Sequence, residues 1–139
     1  MFKNILLATD GYISTEKAVC AAIRFAKNFA ARLHIISIID ITSFANLPTN
    51  VFEELENTAK SAIERIANCI EERDIKIEII KEISIGNPGI EIIKYAKNNS
   101  IDIIIMGTTQ KNILSRFVLG SVAEDVVRRS KMPVLIIPK

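Results

Sequence analysis

Ile101-Asp102-Ile103-Ile104-Ile105-Met106-Gly107 is an apolar run that stops at a glycine, and Gly120-Ser121 follows it at the head of a second helical pattern. A run this short and this uniformly apolar reads as a strand buried on both faces, the signature of a parallel sheet covered by helices. A glycine leaving such a strand frees the backbone to turn tightly. A Gly-Ser pair opening a helix presents unpaired N–H groups and a hydroxyl, which suit a phosphate. Together the two elements point to a nucleotide site.

Working outward, Val122 to Arg129 reads as a helix that leads through Pro133 to a last apolar strand, Val134 to Ile137. Upstream, Gly86-Asn87-Pro88-Gly89 is a turn with proline placed for the first turn of a helix over Ile90 to Lys97, which Asn98-Asn99-Ser100 ends. Ile75, Lys76, Ile77, Glu78 and Ile79 alternate and predict a third, half-exposed strand nearer an edge. A long amphipathic helix is predicted from Val51 to Arg73, with Phe52, Leu55, Ala59, Ile63, Ile66 and Ile70 on its buried face. Its apolar stripe is too short for a coiled coil, so it is expected to cover a sheet.

At the amino end Ile5-Leu6-Leu7-Ala8 reads as a buried strand broken by Thr9-Asp10-Gly11. A helix follows from near Ser14, with Ala18, Ala22, Phe25 and Phe29 at helical spacing, and Leu33 to Ile39 is the second strand. Strands alternating with helices need crossover connections between parallel neighbours. The fold class is therefore α/β and Rossmann-like, an open five-stranded, mainly parallel sheet with helices on both faces and order 3-2-1-4-5. In such sheets ligands lie beyond the carboxyl ends of the strands where the winding reverses. That point falls between strands 1 and 4, whose following loops are Thr9 to Ser14 and Gly107 to Ser121.

Length and composition bound the rest. The 139 residues suit a single domain spanning 1–139, 49% hydrophobic and 24% charged, with no apolar run near the roughly 20 residues of a membrane span. No leader pattern precedes the first strand, so a cytoplasmic protein is expected. The net charge of +2 arises from interspersed signs and forms no basic stripe, which argues against nucleic acid as a partner. Cys20, Cys69 and the single His34 cannot furnish a structural zinc site, and the two thiols are expected to be reduced and buried. His34, flanked by Leu33 and Ile35, is expected to be structural, and no nucleophile–histidine–acid set or Walker motif appears, leaving no catalytic residue to nominate.

The chain resembles the universal stress protein family, whose C-terminal signature is G-x-x-G, nine residues, then G-S or G-T. Here it reads Gly107-Thr108-Thr109-Gln110, nine residues, Gly120-Ser121. The likeness extends to Ile5 to Gly11, Ser14 to Ala18, Gly86-Asn87-Pro88, Ile101 to Gly107, Gly120 to Glu124 and Val126 to Ile137. It implies a homodimer joined along Val134 to Ile137 and an adenine nucleotide, ATP with Mg or Mn, bound as in a sensor or switch. The residues implicated are Thr9, Asp10, Ile38 through its main chain, Met106, Gly107, Gln110, Gly120, Ser121 and Val122. Phosphates are expected against Gly120, Ser121 and the Val122 amide, ribose near Gly107 and Asp10, and adenine against Ile38.

The chain departs from the family pattern at two places. Gln110 replaces the second glycine, and Tyr12 stands where a serine is usual. A Cβ at position 110 narrows the ligand's room and, in a left-handed backbone, costs on the order of 1 kcal/mol. Gln110 can also offer its amide to a phosphate oxygen, and Lys111 and Arg116 lie near enough in sequence to add positive charge. Asp10 has two readings, capping or holding the turn into the first helix, and contact with ribose or metal. Ser121 alone would be an ordinary helix N-cap, and the apolar Ile113, Leu114, Phe117, Val118 and Leu119 are expected to pack back on the sheet. Two alternatives stand beside the nucleotide switch: a nucleotide-independent dimeric adaptor acting through unidentified protein partners, and an ATP-hydrolysing enzyme, for which no base is visible.

Overall fold

Ile5, Leu6 and Leu7 are wholly shielded from solvent, as their unbroken apolar run predicts, because their strand has a neighbour on each edge and helices on both faces. The computed structural model describes residues 1–10, 16–42, 46–108 and 120–138. Its elements are β1 Asn4–Ala8, α1 Glu16–Phe29, β2 Arg32–Asp40, α2 Thr49–Glu72, β3 Ile79–Gly86, α3 Pro88–Asn98, β4 Ile103–Gly107, α4 Ser121–Arg129 and β5 Val134–Ile137. The strand order is β3-β2-β1-β4-β5 and every pairing is parallel. The winding runs from β1 outward to β3, then returns to the other side of β1, so it reverses between β1 and β4.

The two-residue period of the strands sorts their side chains onto two faces. Ile5 and Leu7 of β1, Leu33 and Ile35 of β2 and Ile103 and Ile105 of β4 meet Ala18, Ala22 and Ala26 of α1 and Ile63, Ile66 and Ile70 of α2. On the other face Leu6, Ala8, Ile36, Ile104 and Met106 meet Ile92, Ile93 and Ala96 of α3 and Ala123 and Val126 of α4. Phe52 and Leu55, expected in the core, are only half-buried, since no residue of α2 before Ala59 is buried.

Helices α1, α2 and α3 end alike. Ala30, Asp74 and Ser100 take left-handed backbones with φ of 51°, 51° and 52°. The next residue in each case, Ala31, Ile75 or Ile101, donates its N–H back to the carbonyl of Ala26, Ile70 or Ala96 at 2.9, 3.2 and 3.0 Å. This is the Schellman closure, with an apolar anchor just past the turn.

That closure corrects the third strand. The alternation Ile75 to Ile79 is not β3: Ile75 is the anchor that ends α2, Ile75 and Ile77 pack against the first core cluster, and β3 runs from Ile79 to Gly86. Register explains the shift, because β3 pairs along β2 from Leu33↔Ile79 to Asp40↔Gly86. Its position at a sheet edge is as expected. The thiols also differ from expectation. Both are free, but Cys20 is exposed and Cys69 half-buried, because each sits off the apolar stripe of its helix.

Candidate functional site

At the carboxyl pole of the sheet the ladder runs one residue past β1 and β4. Thr9 N–H donates to the Ile36 carbonyl at 3.0 Å and Thr108 N–H to the Ile137 carbonyl at 3.3 Å. These bonds fix where the chain leaves each strand, with Thr9 and Thr108 buried and Asp10 exposed. The strand alternation carries Ile38, Met106 and Thr108 toward the α3–α4 face, where Ile38 packs against the cluster holding Ala8 and Met106. Gly107, buried, turns its missing side chain to the opposite face.

Over this pole stands the amino end of α4. Gly120 is its N-cap, with no side-chain cap, and Ser121 is the first helical residue, so Ser121 is not itself the cap. The first closed turn is Glu124 N–H to the Gly120 carbonyl at 2.9 Å. The N–H groups of Ser121, Val122 and Ala123 precede that bond and have no intrahelical acceptor. Ala123 is buried, and Val122 packs against the same cluster as Ala8, Ile38 and Met106, so the positive end of the α4 dipole lies over the ends of β1 and β4.

The seat of α4 is set by α3. Asn87 caps α3, its side chain accepting the Ile90 N–H at 3.2 Å, and Pro88 occupies the first turn as the sequence predicts. A Cβ on Gly89 would fall 2.0 Å from Asp125 Oδ2 and 3.1 Å from its Cβ, so any larger residue requires the Asp125 side chain to move aside. The sequence marks this stretch as a strand-to-helix turn with no chemistry of its own; the close approach of two helices is a tertiary property that no local pattern announces.

The pole thus gathers Thr9, Asp10, Ile38, Met106, Gly107, Gly120, Ser121 and Val122 at the reversal of winding. Gln110 lies outside the described residues, as do Gly11, Tyr12, Ser14, Lys111, Arg116 and the apolar stretch Ile113 to Leu119. Helix α1 is described from Glu16, and residues 11–15, which connect it to Asp10, lie outside the described residues. Thr108, which the sequence reading passed over, is 4% exposed, and its Oγ1 has no hydrogen-bond partner; it is the one such buried side-chain atom among the described residues. Its position directly after Gly107 was the available signal.

His34 lies apart from this pole. Its Nδ1 is 2.8 Å from the Tyr95 hydroxyl on α3, and its Nε2 is 3.4 Å from Asn4 Oδ1 on β1. The Asn4 amide nitrogen points to the Ser100 carbonyl, which leaves Oδ1 as acceptor. Nε2 therefore carries the proton and Nδ1 accepts from tyrosine. Burial lowers the imidazole pKa from its ordinary value, Arg32 lowers it further, and Glu78 opposes them. The expected structural role holds.

Among the described residues no three His, Cys, Asp or Glu side chains gather as metal ligands. Asp10 is the carboxylate among the described residues gathered at this pole, and a hard divalent ion takes such oxygens together with phosphates and water. The α4 terminus presents backbone N–H groups and the positive end of a helix dipole at this pole, an arrangement of the kind that suits an anion. No helix among the described residues is long and apolar enough to cross a membrane.

The profile of the universal stress protein family matches residues 1–138. Universal stress protein MJ0531 of Methanocaldococcus jannaschii is 35% identical over 144 residues, covering 100% of this chain and 84% of that one. The solved structure of MJ0577 from the same organism superposes with a TM-score of 0.83 at 32% identity, covering 100% and 97% of the two chains. A universal stress protein solved in complex with cAMP superposes with a TM-score of 0.74 at 27% identity, covering 98% and 97%.

Proposed function

This chain belongs to the universal stress protein family, and on that premise we propose that its crevice binds an adenine nucleotide, ATP together with Mg or Mn, in a homodimer that serves as a sensor or switch. The observation that carries the reading is the uncapped amino end of α4, set over the carboxyl ends of β1 and β4 where the winding reverses. N–H groups without an intrahelical acceptor and a helix dipole there favour an anion, and a family neighbour has been solved with the adenine nucleotide cAMP. In this reading the Ser121 and Val122 amides and the Ser121 hydroxyl receive the phosphates. Gly107 leaves room for ribose beside Asp10, and the Ile38 main chain lies against adenine. The dimer forms along β5, an apolar edge strand whose four residues are all half-buried in the single chain. Pro138 then limits further extension of that edge.

The test is a calorimetric titration of purified, nucleotide-stripped protein with ATP and magnesium, with GTP as comparison and Gly120→Val as control. Gly120 has φ −57° and ψ 156°, a backbone open to any residue, so valine crowds the crevice without straining the chain. Saturable binding of about one ATP per chain, abolished by Gly120→Val, is expected. Absence of binding at millimolar ATP replaces the nucleotide switch with the partner-docking adaptor. Sedimentation of the same samples reads the dimer, and a monomer at tens of micromolar removes the β5 pairing.

A further inference from the structure

We propose that the amino pole of the sheet, opposite the crevice, carries an anion site of its own, a cleft that binds a dianionic phosphate group. It does not depend on the nucleotide reading. The cleft, about 380 Å³, opens between the start of β1, the turn after α1, the start of β2 and the run into β3, and its volume is in the range of small-ligand pockets. Lys3, Arg32 and Lys76 line it against the one carboxylate of Glu78, and the buried Ala31 and half-buried Ile77 back it.

Cations collect in the last turn of a helix, where they answer its dipole, and Lys27, Lys97, Arg128 and Arg129 stand there. Lys3, Arg32 and Lys76 lie in no helix. Among the described residues Lys3 forms no ion pair, Arg32 gives only Nε to Glu78 at 2.9 Å, and the Lys76–Asp74 pair is 87% and 85% exposed. Glu78 thus holds the guanidinium by one edge and leaves its terminal amines for the two parallel bonds that match a phosphate. The exposed pairs are screened by water and yield to a dianion.

The single histidine of the chain reports on this cleft. Arg32 and Glu78 act on the His34 imidazole in opposite directions, Asn4 of β1 accepts from its Nε2, and the Tyr95 hydroxyl of α3 meets its Nδ1. A dianion on Arg32 offsets the influence of that cation, so His34 titrates higher when the cleft is filled.

The experiment follows backbone amide shifts by NMR during titration with inorganic phosphate and with glycerol phosphate, chloride at equal ionic strength serving as the blank. Saturable shifts at Lys3, Arg32 and Lys76 in the millimolar range are expected, with affinity at least about tenfold weaker in Arg32→Gln. The Arg32 side chain is 57% exposed, so its replacement spares the core. Tighter binding of the ester assigns the cleft to a phosphorylated small molecule, and equal binding assigns it to the free ion. Sulfate keeps its two charges as pH changes, so with sulfate the His34 titration should move up in wild type and stay fixed in Arg32→Gln. Shifts no larger than those with chloride, shifts confined to Ser121, Val122 and Ala123 at the other pole, affinity unchanged in Arg32→Gln, or a wild-type His34 titration unmoved by sulfate each overturn the proposal.

Discussion

Replacing Tyr95 by phenylalanine deletes one oxygen from the contact that ties α3 to β2. The ring stays, and with it the edge-on packing against the imidazole of His34, centroids 5.7 Å apart at 70°. What disappears is the hydroxyl donor 2.8 Å from His34 Nδ1. His34 is 4% exposed and its other nitrogen is directed to Asn4, so Nδ1 is left as a buried acceptor without a donor. Such a loss costs about 1–3 kcal/mol. Unfolding entropy of about 2.1 cal/mol/K per residue over 139 residues gives about 0.29 kcal/mol/K, so 2 kcal/mol lowers Tm by about 7 °C. Thermal unfolding followed by circular dichroism at pH 8, where the imidazole is neutral, reads this directly. A Tm within about 1.5 °C of wild type, well under 1 kcal/mol on the same scale, would refute the reasoning. The same pair also predicts a pH dependence. The folded His34 has a lowered pKa, so the unfolded chain takes up its proton first. Stability is complete above about pH 6.5 and declines below it, by at most about 1.4 kcal/mol per pH unit, until the folded imidazole is protonated. His34→Gln should lack this decline between pH 7.5 and 5.5, and an equal slope in both proteins would show that other groups cause it.

Two backbone positions give predictions of opposite sign. Gly86 has φ 146°, so Gly86→Ala is expected to cost about 1–3 kcal/mol by strain, and a Tm equal to wild type would contradict it; the added Cβ also meets Glu91 Cγ at 3.0 Å, a flexible side chain that can yield. Ala30 holds a left-handed backbone at the end of α1, so Ala30→Gly should gain about 0.5–1 kcal/mol net of glycine's entropy, read as a rise of about 2–3 °C in Tm, and a fall would refute the strain argument.

Most of the sheet was legible because parallel strands buried on both faces are written as unbroken apolar runs, as in Ile5 to Ala8, and β5 appears over the residues expected, Val134 to Ile137. The third strand was displaced because an anchored helix end produces the same alternation as an edge strand: Ile75 and Ile77 point inward for packing, while pairing begins at Ile79. The solvent position of Cys20 was readable in principle, two residues from both Ala18 and Ala22 and hence on the far side of α1. The candidate site was legible insofar as topology determines it, since the order β3-β2-β1-β4-β5 alone brings Thr9 and Gly107 to one pole. The unpaired Thr108 hydroxyl and the approach of Asp125 to Gly89 depend on how α3 and α4 dock. No local periodicity encodes either.

The seam between β1 and β4 also determines when the crevice comes into being. Strands β1, β2 and β3 pair with neighbours in sequence order, whereas the bonds from Lys3 and Asn4 N–H to the Asp102 carboxylate close separations of 99 and 98 residues. Long closures are the slow step in forming parallel sheets. A chain still leaving the ribosome can assemble three strands while β1 keeps a bare apolar edge, open to aggregation. A nucleotide bound as proposed against β1, β4 and α4 would therefore meet its site only on molecules in which the seam between β1 and β4 has closed and α4 has docked.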